Sequence, residues 1–251
     1  ESRLSPVRDK LRRLQAELGQ GDLSLSDRGL VVAQRAVNAL GLGGRVALSR
    51  HVVFELREAP PLTRSLRGLR DLVVRRGDLS DLEALQAVDG REPALLRRRF
   101  SDGDLAFVGQ TGGRVLCHVF FHRGPRPFEE DLGRTVALPL ERDTFWSYDA
   151  AADRESRASD VFIKVFQAAL QSLFREQGAE RVLCMVQHTN QPSLRMHEHL
   201  GFRRLGTLTA LALPLGKLLR WEATDGSARS FLLGAAEVPA IHASERRTAR
   251  A

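Results

Sequence analysis

The stretch of this chain best suited to bind a phosphate is the turn AADRESRASD (151–160), which follows FWSYDA and leads into a helical pattern from about Ser159 to Gln177. The first turn of a helix presents backbone N–H groups that have no partner inside the helix, at the positive end of the helix dipole, so it attracts anions. Arg154 and Arg157 add guanidinium groups there. A second locus is HTNQPS (188–193), ahead of the helical SLRMHEHL (193–200). On local grounds Asn190 is a turn residue bonding its own backbone, and Ser193 an N-cap. Cys117 and Cys184 each sit inside an apolar run, with no second Cys or His at ligand spacing. That pattern argues against a metal site and a thiolate nucleophile, and for a reducing cytoplasmic location. No serine forms a nucleophile constellation either.

These loci need a scaffold, and the periodicities supply one. Residues 4–18 and 26–40 carry apolar positions at spacings of three and four, so the first 45 residues read as a helical appendage. HVVFELRE (51–58) reads as the first strand. GDLSDLEALQAV (77–88) reads as a helix opening at Asp78 or Ser80, with Glu83 three residues after Ser80 as a capping box. LAFVGQ (105–110) and RVLCHVFFH (114–122) flank ThrGlyGly as a β-hairpin. RTVALPL (134–140), FWSYDA (145–150), ERVLCMVQ (180–187) and RRLGTLTALAL (203–213) complete the strands. Helices between strands, with a hairpin among them, imply an α/β fold on a mixed sheet. The main domain is expected over 46–214, with 215–251 as an extension ending in a disordered tail.

At 251 residues and 43% hydrophobic content, the chain can bury one substantial core. No run approaches the roughly 20 apolar residues that span a bilayer, so no membrane partner is expected. The chain opens on Glu1 rather than Met, which raises the expectation of a further N-terminal piece. The net charge of +7 is nearly all arginine, since only Lys10, Lys164 and Lys217 are lysines. The arginines are mixed with acids and lack interleaved aromatics, which argues against a nucleic-acid surface.

Asn190, Ser193 and the closing Leu200-Gly201-Phe202 keep a fixed spacing within the order strand, basic turn, long helix, strand, Asn loop, short helix. In this the chain resembles the GNAT superfamily of acyl-CoA-dependent N-acyltransferases, over roughly 51–213 and most specifically over 145–202. The resemblance implies a mixed, mostly antiparallel sheet flanked by helices, here with an N-terminal helical extension. It implies acetyl-CoA or another acyl-CoA as co-substrate, with its pyrophosphate at Arg154, Arg157, Ala158 and Ser159. Arg157 departs from the family pattern, which has glycine at that position, and its guanidinium would have to compensate. Asn190 and Ser193 would flank the pantetheine arm. His197 occupies a position where the family often has a tyrosine that protonates the departing thiolate. For the base, Asp149 is the first candidate, beside Glu141, Asp143, His118 or a water relay. The implied reaction is direct attack of a small-molecule amine in a ternary complex, with a backbone N–H of strand 145–150 holding the oxyanion. A carrier-protein donor and a non-catalytic binding module are the alternatives, and the N-terminal helices are a candidate homodimer surface.

Overall fold

Two glycines fix a hairpin near one edge of the sheet. Gly112 and Gly113 have φ of 57° and 82°, the pair of positive values that a two-residue type I′ hairpin loop requires. They join β3 (Leu105–Thr111) to β4 (Arg114–Arg123) at the expected place. The computed structural model describes Val32 and residues 47–61, 71–125, 128–131, 135–138, 140–156, 160–213 and 216–233. The expected helices of residues 1–45 and the C-terminal tail thus lie outside the described residues, Val32 apart.

Around the hairpin run β1 (Ala47–Leu56), β2 (Val73–Gly77), α1 (Leu82–Asp89) and α2 (Pro93–Ser101). After it come β5 (Phe128–Asp131), β6 (Thr135–Leu138), β7 (Thr144–Ala152) and α3 (Val161–Glu176). The chain continues through β8 (Arg181–Gln187), α4 (Gln191–His199), β9 (Arg203–Leu213), β10 (Gly216–Ala223) and β11 (Ala228–Leu233). Nine strands form one sheet in the order β11-β10-β9-β1-β8-β7-β4-β3-β2, while β5 and β6 pair by themselves. Only β7 and β8 run parallel, so the sheet is mixed and mostly antiparallel, as expected.

Several expectations need correction. The first predicted strand, β1, lies between β8 and β9. The strand beside β3 is the unpredicted β2, and α2 was also missed. The capping box ahead of α1 is built from Asp78 and Asp81 around a short 3₁₀ turn, not from Ser80 and Glu83. Asp78 Oδ1 accepts the Ser80 N–H at 2.7 Å, and Asp81 Oδ2 accepts the Asp78 N–H at 3.0 Å. Beyond β9 the sheet continues into β10 and β11.

Strand alternation gives the sheet two buried faces. On one, Phe54, Phe121 and Val182 meet Phe166, Leu170 and Leu173 of α3 and Leu194 of α4. On the other, Ala106, Val108 and Phe120 pack under Leu85 and Val88 of α1 and Leu96 of α2. Gly109 lets α3 approach β3 closely, since a Cβ there would stand 2.3 Å from Val165 Cγ2. No helix among the described residues is long and apolar enough to cross a membrane.

Candidate functional site

The parallel ladder between β7 and β8 is short. It pairs Thr144–Ser147 with Arg181–Cys184 and ends there, although β7 runs on to Ala152 and β8 to Gln187. Past Ser147 and Cys184, the facing edges of these two neighbouring strands have no ladder between them in the described residues. An edge without a ladder offers backbone donors and acceptors to an extended ligand.

At the same point β7 bulges on its β4 side. His118 pairs with Ala151 and Phe120 with Tyr148, so Val119 alone lies opposite both Asp149 and Ala150. Asp149 has a φ of 47°, positive for a non-glycine residue and costing an L-residue about 1–2 kcal/mol. Its carboxylate is 4% exposed and meets Arg91 Nη2 at 2.5 Å and the Arg99 guanidinium. Arg91 also holds Asp89, with Nε 3.1 Å from Oδ2. The Tyr148 hydroxyl donates to Asp104, whose other oxygen lies 2.7 Å from His122 Nδ1.

His118 sits at the floor of this group, fully buried, with neither ring nitrogen hydrogen-bonded. Its Nε2 is 3.7 Å from Asp89 Oδ2. Burial pushes its pKa down to about 4, with the Arg99 and Arg91 charges acting the same way and Asp89 opposing them. Asp89, His118 and Asp149 each bring a possible metal-ligating atom within 4.8 Å of the others. Two guanidiniums already balance the two carboxylates, so the cluster's charge calls for no cation.

The turn after β7 is anchored by Asp153. Its N–H donates to Leu116 O at 2.8 Å, and its carboxylate accepts the Ser156 N–H at 2.8 Å and meets Arg114 Nη2 at 2.7 Å. Arg154 projects exposed from this turn. The other expected phosphate ligands, Arg157, Ala158 and Ser159, lie outside the described residues. The N-cap of α3 is Asp160, whose side chain makes no cap bond.

At the end of β8, Asn190 rather than Ser193 is the N-cap of α4, its Oδ1 accepting the Ser193 N–H at 3.3 Å. Ser193 stands one turn from His197, and here the setting differs from the expected acid. His197 Nδ1 is 2.7 Å from Ser193 O, so it carries the proton and donates to that carbonyl. The ring stacks on Phe54 at 5.5 Å and meets Phe166 and Phe202 edge-on. Burial pushes its pKa down to about 4, against the pull of the Ser193 bond. A neutral, caged imidazole whose proton is already engaged is poorly placed to protonate a thiolate. Asp149 is likewise ill suited as a base, because guanidiniums occupy its carboxylate. Glu141 and Asp143 precede β7, at the opposite end from the bulge.

Both thiols are inert by environment. Burial raises the Cys117 pKa to about 12 and pushes Cys184 up as well. The arginines that organise the bulge, Arg91 and Arg99, had no local signal among 38 basic residues. Only the fold brings them to β7.

No family model matches the chain, and no curated protein matches it. Among solved structures it is similar to a GNAT-family chain from Novosphingobium aromaticivorans, at 14% identity and a TM-score of 0.46, over 66% of this chain and 65% of that one. It is similar to a GCN5-related N-acetyltransferase from Kribbella flavida at 12% identity and a TM-score of 0.49, over 71% and 63%. A ribosomal-protein-alanine N-acetyltransferase from Brucella melitensis matches at 18% identity and a TM-score of 0.41, over 52% and 84%. The chain therefore spans less than two thirds of the length of the first two.

Proposed function

We propose that the protein is an acyl-CoA-dependent N-acyltransferase that takes its donor between β7 and β8 and passes the acyl group, acetyl in the first instance, to a small-molecule amine. The observation that carries this reading is the parallel ladder that stops at Ser147 and Cys184 while both strands continue. A pantetheine arm is extended and carries amides, so it can bond to strand edges that lack a ladder, much as an added strand would. Its phosphates would reach the turn after β7, where Arg154 is exposed, with Arg157, Ala158 and Ser159 next in sequence.

Acyl-CoA supplies a thioester. The amine nitrogen bonds to the acyl carbon and the carbonyl oxygen takes up the electron pair. The C–S bond then breaks, leaving an amide and a thiolate. At the bulge, a β7 backbone N–H holds the oxyanion. Catalysis rests on that donor and on proximity. The nitrogen loses its proton to water and the thiolate gains one from water, because His197 and Asp149 are otherwise engaged. Asn190 and the start of α4 border the arm.

CoA is expected to stabilise the fold by about 2.7 kcal/mol at one hundred times its dissociation constant. Arg154→Ala should weaken CoA more than it weakens dephosphorylated pantetheine, because its partner is a phosphate. No shift in melting temperature at millimolar CoA, together with no calorimetric heat, would overturn the donor assignment.

A further inference from the structure

Arg99 meets two consecutive residues at the β7 bulge and one on the facing strand β4. Its guanidinium pairs with Asp149 and lies 4.9 Å from the Tyr148 ring centre and 5.1 Å from that of Phe120, the residue paired with Tyr148. Its side chain is only 13% exposed. Arg91, in the connection between α1 and α2, grips the same carboxylate from a more exposed position, 47% exposed. A bulge puts consecutive side chains on one face of a strand. Here the Tyr148 hydroxyl and the Asp149 carboxylate are both held by groups from the α1–α2 side, Asp104 and the two arginines. Asp149 is the one non-glycine residue with positive φ among the described residues.

We propose that Arg99, assisted by Arg91, is a positioning residue: by gripping Asp149 it holds the β7 bulge open and aims the backbone N–H groups of the bulge at the reacting carbonyl. This deepens the acyltransferase reading and rests on it for its catalytic half. Asp149 supplies the handle, the arginines supply the grip, and neither needs to touch substrate. The helical layer on the α1–α2 face thereby sets geometry at the edge where the donor lies. A left-handed Asp is tolerated at a bulge but not strongly preferred. Without the grip, β7 can relax toward regular pairing with β4.

Arg99→Met removes the charge and keeps the length, Arg99→Lys keeps the charge, and Asp149→Gly accepts positive φ without a grip. Backbone amide shifts of residues 148–152 are read by NMR on the full chain, and turnover and CoA affinity are measured in parallel. Arg99→Met is expected to move those amides and lower kcat by about 10²-fold, with CoA affinity unchanged within about twofold. Arg99→Lys should recover most of the loss. In the Asp149→Gly background, Arg99→Met should cost little more. Should Arg99→Met unfold the chain, Arg91→Met, at the more exposed partner, is expected to shift the same amides to a smaller extent. Unmoved amides overturn the proposal whatever the activity. Moved amides with unchanged kcat overturn its catalytic half. Wild-type protein that neither binds CoA nor acetylates any amine overturns the function reading, and the amide shifts still decide whether the arginines set the bulge.

Discussion

Two buried carboxylates, one at each end of the β7–β8 region, meet arginines with opposite consequences. Glu55, near the end of β1 where β8 begins, is 1% exposed and meets Arg203 Nη2 at 2.6 Å, Arg181 Nε at 2.8 Å and Arg57 Nη2 at 3.1 Å. It sits between Leu183 on β8 and Arg203 on β9, just past a register shift in the β1–β9 ladder. Burial would raise its pKa, but the Arg57 and Arg203 hydrogen bonds and the Arg181 charge outweigh that and hold it below the usual carboxylate range. Asp149, at the end where β7 and β8 lose their ladder, has arginine partners too, yet its backbone is strained and the ring of its neighbour His118 makes no hydrogen bond. The same chemistry closes one end of the sheet and leaves the other unrelaxed. Backbone strain of this kind clusters at functional sites.

The comparison breaks most visibly at the closed end. Glu55→Ala leaves Arg181, only 11% exposed, with Glu141 alone, 3.3 Å from its Nη1. A cost of about 3 kcal/mol is expected, the low side of the range for breaking a buried pair, because Arg57 and Arg203 can return to water. Urea denaturation measures it, and a cost below 1 kcal/mol would make this a surface pair in effect. A carboxylate whose folded pKa is depressed stabilises the fold above its unfolded value and loses that contribution as pH falls through the folded pKa. Wild-type stability should therefore decline in acid more steeply than that of the variant.

At the open end the sign reverses. His118→Leu removes two buried nitrogens that make no hydrogen bond. It should be neutral or stabilising, by up to about 1 kcal/mol, since an unsatisfied polar group is costly and an apolar group of similar size is not. Loss of more than 1 kcal/mol would show that the histidine is held by an ordered partner.

How much of this was legible depends on the range of the interactions. The hairpin, β7, α3, β8, α4 and β9 announce themselves through apolar periodicity and glycine punctuation. By contrast, β2 is an exposed edge strand reading VVRRG, so it lacks an apolar signal. In α2 only Leu96 is buried, and its run of arginines reads as loop. The insertion of β1 between β8 and β9 is a long-range pairing that no local pattern records. The resemblance pointed to the region where the β7–β8 ladder ends and assigned proton transfer by position alone. Neither the Arg91 and Arg99 grip on Asp149 nor the aromatic cage of His197 can be read from spacing, because each joins elements distant in sequence.

The smallest effect expected at neutral pH belongs to His197, and it separates packing from chemistry. His197→Phe keeps the contacts with Phe54, Phe166 and Phe202 and gives up the bond to Ser193 O. That bond lies within one helix turn, so stability near pH 7 should change by no more than about 1 kcal/mol. Turnover should stay within about threefold, because the ring is neutral and its proton engaged. Acid reveals more. The folded pKa is about 4 against an ordinary 6.5, so between those values the unfolded chain takes up a proton that the folded chain refuses. Stability attributable to this histidine is therefore lost as pH falls through that window, and the phenylalanine variant should gain on the wild type there. A 10²-fold drop in kcat with unchanged stability would restore His197 as the acid and place its Nδ1 proton within reach of the thiolate. Parallel stability curves for the two proteins from pH 7 to pH 4 would instead show the ring to be open to solvent.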